Sequence, residues 1–220
     1  MAAEINEDSK YQTLREHMVV EQIQRRGISD PRVLAAMRSV PRQEFVLKEQ
    51  KEIAYQDRAL PIGVNQTISQ PYIVALIAQQ SEIKENDRIL EIGTGCGYQA
   101  AVLSKLAKQI YTIEIIESLG DRAKKLLESL GYNNITVKIA DGFDGWKEKA
   151  PFDVIVLTAA PRRIPLPLME QLTVGGRLVA PVGDSENQEL VVIKKTKSGL
   201  KKKNIIPVRF VPMTGKARSS

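Results

Sequence analysis

A glycine-rich loop set directly between an apolar strand and a helix constrains this chain more than any other feature. The strand is predicted over Arg88–Ile92, the loop over Glu91–Gly97 reads Glu-Ile-Gly-Thr-Gly-Cys-Gly, and the helix is predicted over Tyr98–Lys108. Glycines let the backbone turn sharply and approach a ligand with no side chain between. The helix also presents free N–H groups at its first turn. The loop therefore predicts a ligand site or, more simply, a tight strand-to-helix turn.

Strands and helices alternate from this loop to the end of the chain. Further strands are predicted over Ile110–Ile113, Ile135–Ile139, Asp153–Leu157 and Gly176–Val182, then Leu190–Lys195 and Ile205–Val211 as an antiparallel pair. Helices are predicted over Ser118–Leu130 and Pro165–Leu172. Such alternation indicates parallel strands with helices on both faces. The predicted fold class is α/β, with a doubly wound, mostly parallel seven-stranded sheet and antiparallel C-terminal strands.

An N-terminal helical cap precedes the sheet. Apolar residues recur at helical spacing before Gly27, which suits a helix stop. Helices are predicted over Tyr11–Arg26, from Asp30-Pro31 through Met37, and over Glu44–Ile53. We expect a single domain over 1–220, with 1–10 disordered, a helical cap and substrate segment over 11–80, and a cofactor-binding core with the C-terminal strands over 81–220.

The composition excludes several classes of protein. The chain of 220 residues has one cysteine and one histidine, so it can form no internal disulfide and no multi-cysteine zinc site. No metal is expected. His17 lies in a polar segment and is expected at the surface, which makes triad hydrolysis improbable. No stretch approaches the roughly 20 apolar residues that cross a bilayer. We therefore expect a cytoplasmic chain with no membrane partner.

The net charge of +6 comes partly from lysines around Ser198-Gly199, which is predicted to be a turn between two strands. No aromatic residues interleave with these lysines to stack on bases. A solvated hairpin tip is therefore expected, and nucleic acid is not an expected partner. The charge can still favour anionic substrates.

The spacing of the loop favours one nucleotide cofactor over another. It is G-x-G-x-G rather than the G-x-G-x-x-G of the dinucleotide fingerprint. Glu91 would serve a pyrophosphate poorly and a cationic amino-acid group well, which favours S-adenosyl-L-methionine over NAD. Glu114 follows about 20 residues later at a strand end, where it can accept hydrogen bonds from ribose hydroxyls. Asp141-Gly142 follows the third strand, where a carboxylate can meet an adenine amino group.

Two later segments extend this pattern. Pro151–Leu157 and Leu172–Leu178 resemble the later sequence motifs of class I methyltransferases. With Glu91–Gly97, Glu114 and Asp141, the resemblance spans about half the chain. It implies a Rossmann-like methyltransferase fold and S-adenosyl-L-methionine as cofactor, with S-adenosyl-L-homocysteine as product.

Two kinds of base methylation lack their expected residues. Exocyclic amine methylation commonly uses an Asp/Asn-Pro-Pro-aromatic motif, and Thr158–Pro161 stands in that place without an aromatic residue. Pyrimidine C5 methylation needs a cysteine nucleophile, but Cys96 lies inside the glycine loop. We interpret Cys96 as a small residue tolerated in a turn.

The segments Tyr55–Gly63 and Gln66–Tyr72 resemble protein-L-isoaspartate O-methyltransferases, and the similarity runs from the first helix to Thr214. The resemblance implies methylation of the carboxylate of isoaspartyl, and D-aspartyl, residues in damaged proteins and peptides, followed by repair through a succinimide. It also implies that Ser69 is the catalytic residue. The implied cofactor-binding residues are Thr67, Ile68, Glu91, Gly93, Thr94, Gly95, Gly97, Glu114, Ile115, Asp141, Gly142 and Thr214. A monomer is expected.

Three of these residues keep two interpretations. Ser69 is placed to cap a helix predicted over Gln70–Gln79, or to hold a substrate carboxylate at that helix start. Asp57 can orient the substrate or pair with a basic residue, and the structural role is slightly favoured. Thr214 either folds back toward the cofactor or ends a strand in a tail. The competing functions are methylation of a small-molecule carboxylate or nucleic acid, and a cofactor-binding regulatory module without catalysis.

Overall fold

A seven-stranded sheet forms the centre of the protein, for which the computed structural model describes residues 7–218. The strands are β1 (Leu60–Gly63), β2 (Gln66–Ile68), β3 (Arg88–Ile92), β4 (Gln109–Glu114), β5 (Ile135–Ile139), β6 (Phe152–Leu157), β7 (Leu172–Gly183), β8 (Gln188–Thr196) and β9 (Gly199–Val208). The order across the sheet is β5-β4-β3-β6-β7-β8-β9. The first five strands in this order, β5, β4, β3, β6 and β7, are parallel to one another. Strands β8 and β9 are antiparallel to their neighbours. The predicted fold class is confirmed.

Helices cover both faces of this sheet. They are α1 (Glu7–His17), α2 (Pro31–Ser39), α3 (Pro71–Gln80), α4 (Tyr98–Ser104), α5 (Glu117–Ser129) and α6 (Leu166–Glu170). Alternate residues of a strand point to opposite faces, so Ile89 packs in the core under α1 to α5 while Leu90 packs in the core under α6. None of the helices within 7–218 has both the length and the apolar character needed to cross a bilayer.

The N-terminal cap differs from its prediction in two places. Helix α1 begins at Glu7, so the expected disorder is wrong for 7–10, while 1–6 lie outside the described residues. A π-helical turn and a 3₁₀ turn continue it to Arg26, and Gly27 ends it with a φ of +92°. The third predicted helix is two 3₁₀ turns, Arg42–Glu44 and Lys48–Ile53, because Phe45 between them turns into the core against Tyr98.

The basic hairpin has its turn where the sequence predicts it, but its second strand is longer. Strand β9 begins at Gly199 rather than Ile205, and Lys201 to Lys203 lie within it, exposed at the free edge of the sheet. Lysines on an edge strand oppose pairing with a second sheet. Lys195 instead donates to the carbonyls of Met169, Glu170 and Leu172 at the end of α6.

A small hairpin, β1–β2, lies outside the main sheet and was not predicted. Leu60 pairs with Ile68, and the turn residues Val64 and Asn65 have φ of 52° and 54°. Positive φ at both central residues is typical of a tight two-residue hairpin turn. Arg122 of α5 donates to the carbonyl of Ile62 and fixes the hairpin against the core. The hairpin thereby carries Gln66–Ser69 to the carboxyl edge of the sheet.

Candidate active site

A cavity opens at the carboxyl ends of β3, β4, β5 and β6, the edge at which such sheets bind ligands. Eleven of the thirteen predicted site residues line it: Thr67, Ile68, Ser69, Gly93, Thr94, Gly95, Glu114, Ile115, Asp141, Gly142 and Thr214. The structure does not bring Glu91 and Gly97 into the wall. Residues up to 147 positions apart in the sequence, from Thr67 to Thr214, thus meet at one edge.

The glycines at the two ends of the loop, Gly93 and Gly97, are needed for different physical reasons. The N–H of Gly93 donates to the carbonyl of Ile113 at 2.8 Å, and its φ is +99°. A Cβ on Gly93 would overlap the hydroxyl of Thr158, so the loop can lie this close to β6 only with glycine there. Gly97 has a φ of +91° and is the N-cap of α4, with Leu127 packed beneath it. Gly97 therefore shapes the turn from behind the cavity.

Two backbone N–H groups hold the carboxylate of Glu114 in the cavity wall. One of its oxygens accepts from the N–H of Gly95 at 2.8 Å, and the other accepts from the N–H of Ile116 at 3.0 Å. The side chain is buried and lines the cavity. Each oxygen retains a lone pair for a further donor. Glu114 thus offers two fixed acceptor oxygens to a ligand.

Asp141 ties the neighbouring strand end to the C-terminal segment. Its carboxylate accepts from the N–H of Phe143 and from the N–H of Lys216, both at 2.9 Å. The first bond caps the 3₁₀ turn Gly142–Asp144, and the second draws the end of the chain over the cavity. Asp141 therefore positions two walls while its own side chain lines the cavity.

Glu91 lies behind the loop in an apolar surrounding. Burial raises the pKa of this carboxyl to about 8, so the group is mainly protonated at pH 7 in the protein without ligand. One oxygen accepts from the hydroxyl of Thr112 at 2.5 Å, and the other has no hydrogen-bond partner within residues 7–218. The Thr112 hydroxyl lies 2.7 Å from that of Thr94, which lines the cavity. Glu91 reaches the cavity only through these two hydroxyls.

The C-terminal segment folds back across the sheet edge. The N–H of Ala160 donates to the carbonyl of Val211 at 2.9 Å, and the N–H of Met213 donates to the carbonyl of Ala160 at 2.8 Å. These bonds hold Thr214 in the cavity wall. Of the two interpretations of Thr214, the structure favours the return toward the cavity.

Ser69 does not cap the helix that follows it. Helix α3 begins at Pro71, its N-cap is Gln70, and no side chain caps it, so the predicted capping role of Ser69 is wrong. The carbonyl of Ser69 accepts from Nη2 of Arg42 at 2.8 Å, which holds this peptide in place. The hydroxyl of Ser69 has no hydrogen-bond partner among residues 7–218, and the residue lines the cavity.

A second cavity adjoins the first and shares Thr67, Ser69, Thr158 and Val211 with it. Its other walls come from the start of α3 and from 206–210, at the end of β9 and just beyond it. The guanidinium of Arg26 lies 3.6 Å from the ring centroid of Tyr72 and pairs with Asp57 at 2.7 Å. Asp57 therefore pairs with a basic residue, as one of its interpretations expects, at the rim of this second cavity.

Sequence reasoning missed several lining residues. Thr158 lines both cavities and its hydroxyl donates to the carbonyl of Gly93 at 2.5 Å. Tyr98 and Gln99 line the first cavity from the first turn of α4. The rule that strand ends meet at one edge could have found Thr158, because β6 ends at Leu157. Cys96 also lines the cavity, and burial raises the pKa of its thiol to about 11.

The donors and acceptors around the first cavity indicate its ligand class. Within residues 7–218, no lysine or arginine lines it, whereas Glu114 and Asp141 do. Such a wall suits a cationic nucleoside better than a pyrophosphate, because anionic groups attract cations and repel phosphates. By its fold and by this site, the molecule is a class I methyltransferase.

Comparison with known proteins narrows this class to a family. The family model described as "Protein-L-isoaspartate(D-aspartate) O-methyltransferase (PCMT)" matches residues 13–218. The chain belongs to this family. It is 53% identical over 206 residues to protein-L-isoaspartate O-methyltransferase 1 of Syntrophobacter fumaroxidans, covering 94% of this chain and 96% of the relative. It is 50% identical to the Gloeobacter violaceus protein-L-isoaspartate O-methyltransferase, covering 90% and 97%.

Solved structures agree with this membership. A protein-L-isoaspartate O-methyltransferase structure superposes with a TM-score of 0.85 at 29% identity, covering 92% of this chain and 67% of that one. A Plasmodium falciparum structure, described as a candidate protein-L-isoaspartate O-methyltransferase in complex with S-adenosyl-L-homocysteine, gives a TM-score of 0.80 at 25% identity, covering 91% and 98%.

Proposed function

We propose that this chain methylates the free carboxylate of isoaspartyl residues in proteins and peptides, which starts their repair through a succinimide. One observation carries the proposal beyond family membership. Ser69 lines both cavities, and its hydroxyl has no hydrogen-bond partner within residues 7–218. One cavity can thus hold the methyl donor and the other the acceptor, with Ser69 between them.

The first cavity fits S-adenosyl-L-methionine. Glu114 and Asp141 supply fixed acceptors for hydroxyl and amino groups, and the glycine loop leaves room for close approach. Thr67, Ile68 and Thr214 close the cavity from the acceptor side. When bound, S-adenosyl-L-methionine supplies an electrophilic methyl group on a sulfonium centre. The wall of carboxylates and the absence of lysine and arginine in it, within 7–218, both support a cationic ligand.

The acceptor needs no general base. The free carboxylate of an isoaspartyl residue is already ionised at neutral pH. The Ser69 hydroxyl can donate to it, and the first N–H groups of α3, from Tyr72 onward, favour an anion beside them. The protein then contributes proximity and alignment. This division of roles suits a chain in which the only histidine, His17, is exposed.

The second cavity suits a peptide. Its walls combine Tyr72, Ile73 and Phe210 with the guanidiniums of Arg26 and Arg209. Isoaspartyl proteins and peptides are therefore the proposed partners, D-aspartyl sites are proposed as further acceptors, and the chain is proposed to act as a monomer. Residues 11–80 are proposed to supply the acceptor wall of a single domain and 81–220 the cofactor core.

A paired-peptide assay tests this function. The protein is incubated with methyl-labelled S-adenosyl-L-methionine and two peptides that differ only in an aspartyl or isoaspartyl linkage, and base-released methanol is measured. Labelling of the isoaspartyl peptide alone is expected. Equal labelling of both peptides, or of neither, would overturn the proposal. Labelling of RNA or of a small carboxylate instead would establish one of the competing activities.

A further inference from the structure

Arg42 is a fully buried cation that neither cavity uses directly. It begins the 3₁₀ turn Arg42–Glu44, and no carboxylate pairs with it within residues 7–218. Burying an arginine is unfavourable unless its charge and its N–H groups are compensated. The Nη1 of Arg42 has no hydrogen-bond partner within residues 7–218, so the groups that compensate its other nitrogens show what the side chain holds in place.

Two backbone carbonyls accept hydrogen bonds from Arg42. Its Nε donates to the carbonyl of Ala54 at 2.7 Å, and its Nη2 donates to the carbonyl of Ser69 at 2.8 Å. Ala54 and Ser69 bound the excursion that contains the β1–β2 hairpin. A single guanidinium thus fastens both ends of the segment that carries Thr67, Ile68 and Ser69 to the cavities.

A third contact joins Arg42 to the cofactor side. Its guanidinium carbon lies 4.8 Å from the ring centroid of Tyr98, a cation–π distance. Tyr98 opens α4 directly after the glycine loop and lines the first cavity. Arg42 therefore spans from the wall that holds Ser69 to the wall that holds the methyl donor.

We propose that Arg42 is a positioning residue that sets the separation between Ser69 and the glycine loop, and so aligns the acceptor carboxylate with the methyl donor. The inference rests on the proposed function, because that function defines the alignment. Transfer between two bound groups depends steeply on their geometry, and a displacement of about 1 Å can cost about 100-fold in rate. Arg42 itself acts only through the carbonyl of Ser69 and the ring of Tyr98.

Replacing Arg42 separates this role from simple structural support. Arg42→Met keeps the apolar stem and removes the buried charge, a change that well-packed interiors often tolerate. We expect kcat on the isoaspartyl peptide to fall about 100-fold, with the Kd for S-adenosyl-L-homocysteine within about threefold of the unchanged protein. Arg42→Lys, which keeps a cation but loses the fork that reaches both carbonyls, should recover part of kcat.

Arg177 provides the matched control. It is also buried, and it donates to the carbonyls of Ser81 and Glu82 and pairs with Asp87, yet none of these residues lines either cavity. Arg177→Met should lower the melting temperature and leave the kcat of the folded protein unchanged. If Arg42→Met also loses only melting temperature, or loses cofactor affinity and kcat together, the positioning role is refuted.

Two further readouts keep the test decisive. A crystal structure of Arg42→Met with S-adenosyl-L-homocysteine should show Ser69 displaced from the glycine loop, and an unmoved Ser69 would overturn the inference. If Arg42→Met does not fold, Arg42→Lys decides: intact cofactor binding with reduced kcat supports the role, and unchanged kcat refutes it. If the unchanged protein releases no methanol from isoaspartyl peptide, the proposed function fails, whereas the displacement of Ser69 still tests Arg42.

Discussion

The two walls of the site are built in different ways. The cofactor wall consists of short turns after β3, β4 and β5, and its carboxylates already accept hydrogen bonds from nearby backbone N–H groups. The acceptor wall includes residues from 67–70 and 206–211, and contacts between residues far apart in the sequence, such as Arg42 with Ser69 and Arg26 with Asp57, support it. The hydroxyl of Ser69 there has no partner within 7–218.

This difference matches what each wall must do. A cofactor is the same molecule in every turnover, so a wall with fixed acceptors loses little entropy when it binds. Protein substrates differ in the residues around the damaged site, so under the proposed function the acceptor wall needs to fix only the common carboxylate. Changes in the cofactor wall should therefore alter affinity, and changes in the acceptor wall should alter turnover.

Glu114→Gln should have the largest effect. An amide places a donor against one of the two N–H groups that the carboxylate now accepts, and it leaves a buried donor unsatisfied. We expect the Kd for S-adenosyl-L-homocysteine to rise about 100-fold by calorimetry. Glu117→Gln, an exposed change three residues on, is the control. Equal affinities for the two variants would contradict the fixed-acceptor description of this wall.

Ser69→Ala should have the next effect, on the other wall. Loss of a hydrogen bond to a charged acceptor corresponds to a fall in kcat of about 10- to 100-fold. Cofactor affinity should stay unchanged, and so should the melting temperature, because Ser69 caps no helix. Ser118→Ala, an exposed serine outside both cavities, is the control. An unchanged kcat in Ser69→Ala would remove Ser69 from the mechanism.

Glu91→Gln tests the buried carboxyl that lies behind the glycine loop of the cofactor wall. Its carboxyl pKa is about 8 in the folded protein, above its unfolded value, so the unfolded chain loses this proton first as pH rises. The stability that Glu91 contributes is present below pH 4.5 and is lost through pH 8. Between pH 6 and 7 the loss is at most about 1.4 kcal/mol. The unliganded protein should therefore lose melting temperature relative to Glu91→Gln over this interval, and parallel curves would contradict the shift.

Asp57→Asn should have the smallest effect. The Arg26–Asp57 pair is partly exposed, and such pairs contribute about 0 to 1 kcal/mol. The KM for isoaspartyl peptide should rise at most about fivefold, with kcat and cofactor affinity unchanged. A large fall in kcat, measured beside Glu49→Gln as an exposed control, would show instead that Asp57 orients the acceptor.

The difference between the two walls also explains which site residues the sequence could predict. Glu114 and Asp141 were found because parallel strands end at one edge, a rule that needs only local patterns. The contact at Ser69 was missed because its carbonyl accepts from Arg42, which lies 27 residues earlier. The β1–β2 hairpin was missed because Val64 and Asn65 form its turn without the glycine that usually marks one. Long-range contacts of this kind leave no periodic signal.

The buried thiol of Cys96 has a consequence for the chemical safety of the enzyme. An electrophilic methyl donor alkylates any competent nucleophile within reach, and among cysteine species the thiolate is the nucleophilic form. With a pKa of about 11, only about one Cys96 side chain in ten thousand is ionised at pH 7. Burial in the cavity wall therefore keeps this thiol in its weakly nucleophilic form beside the proposed methyl donor, which favours transfer to the acceptor over methylation of the protein itself.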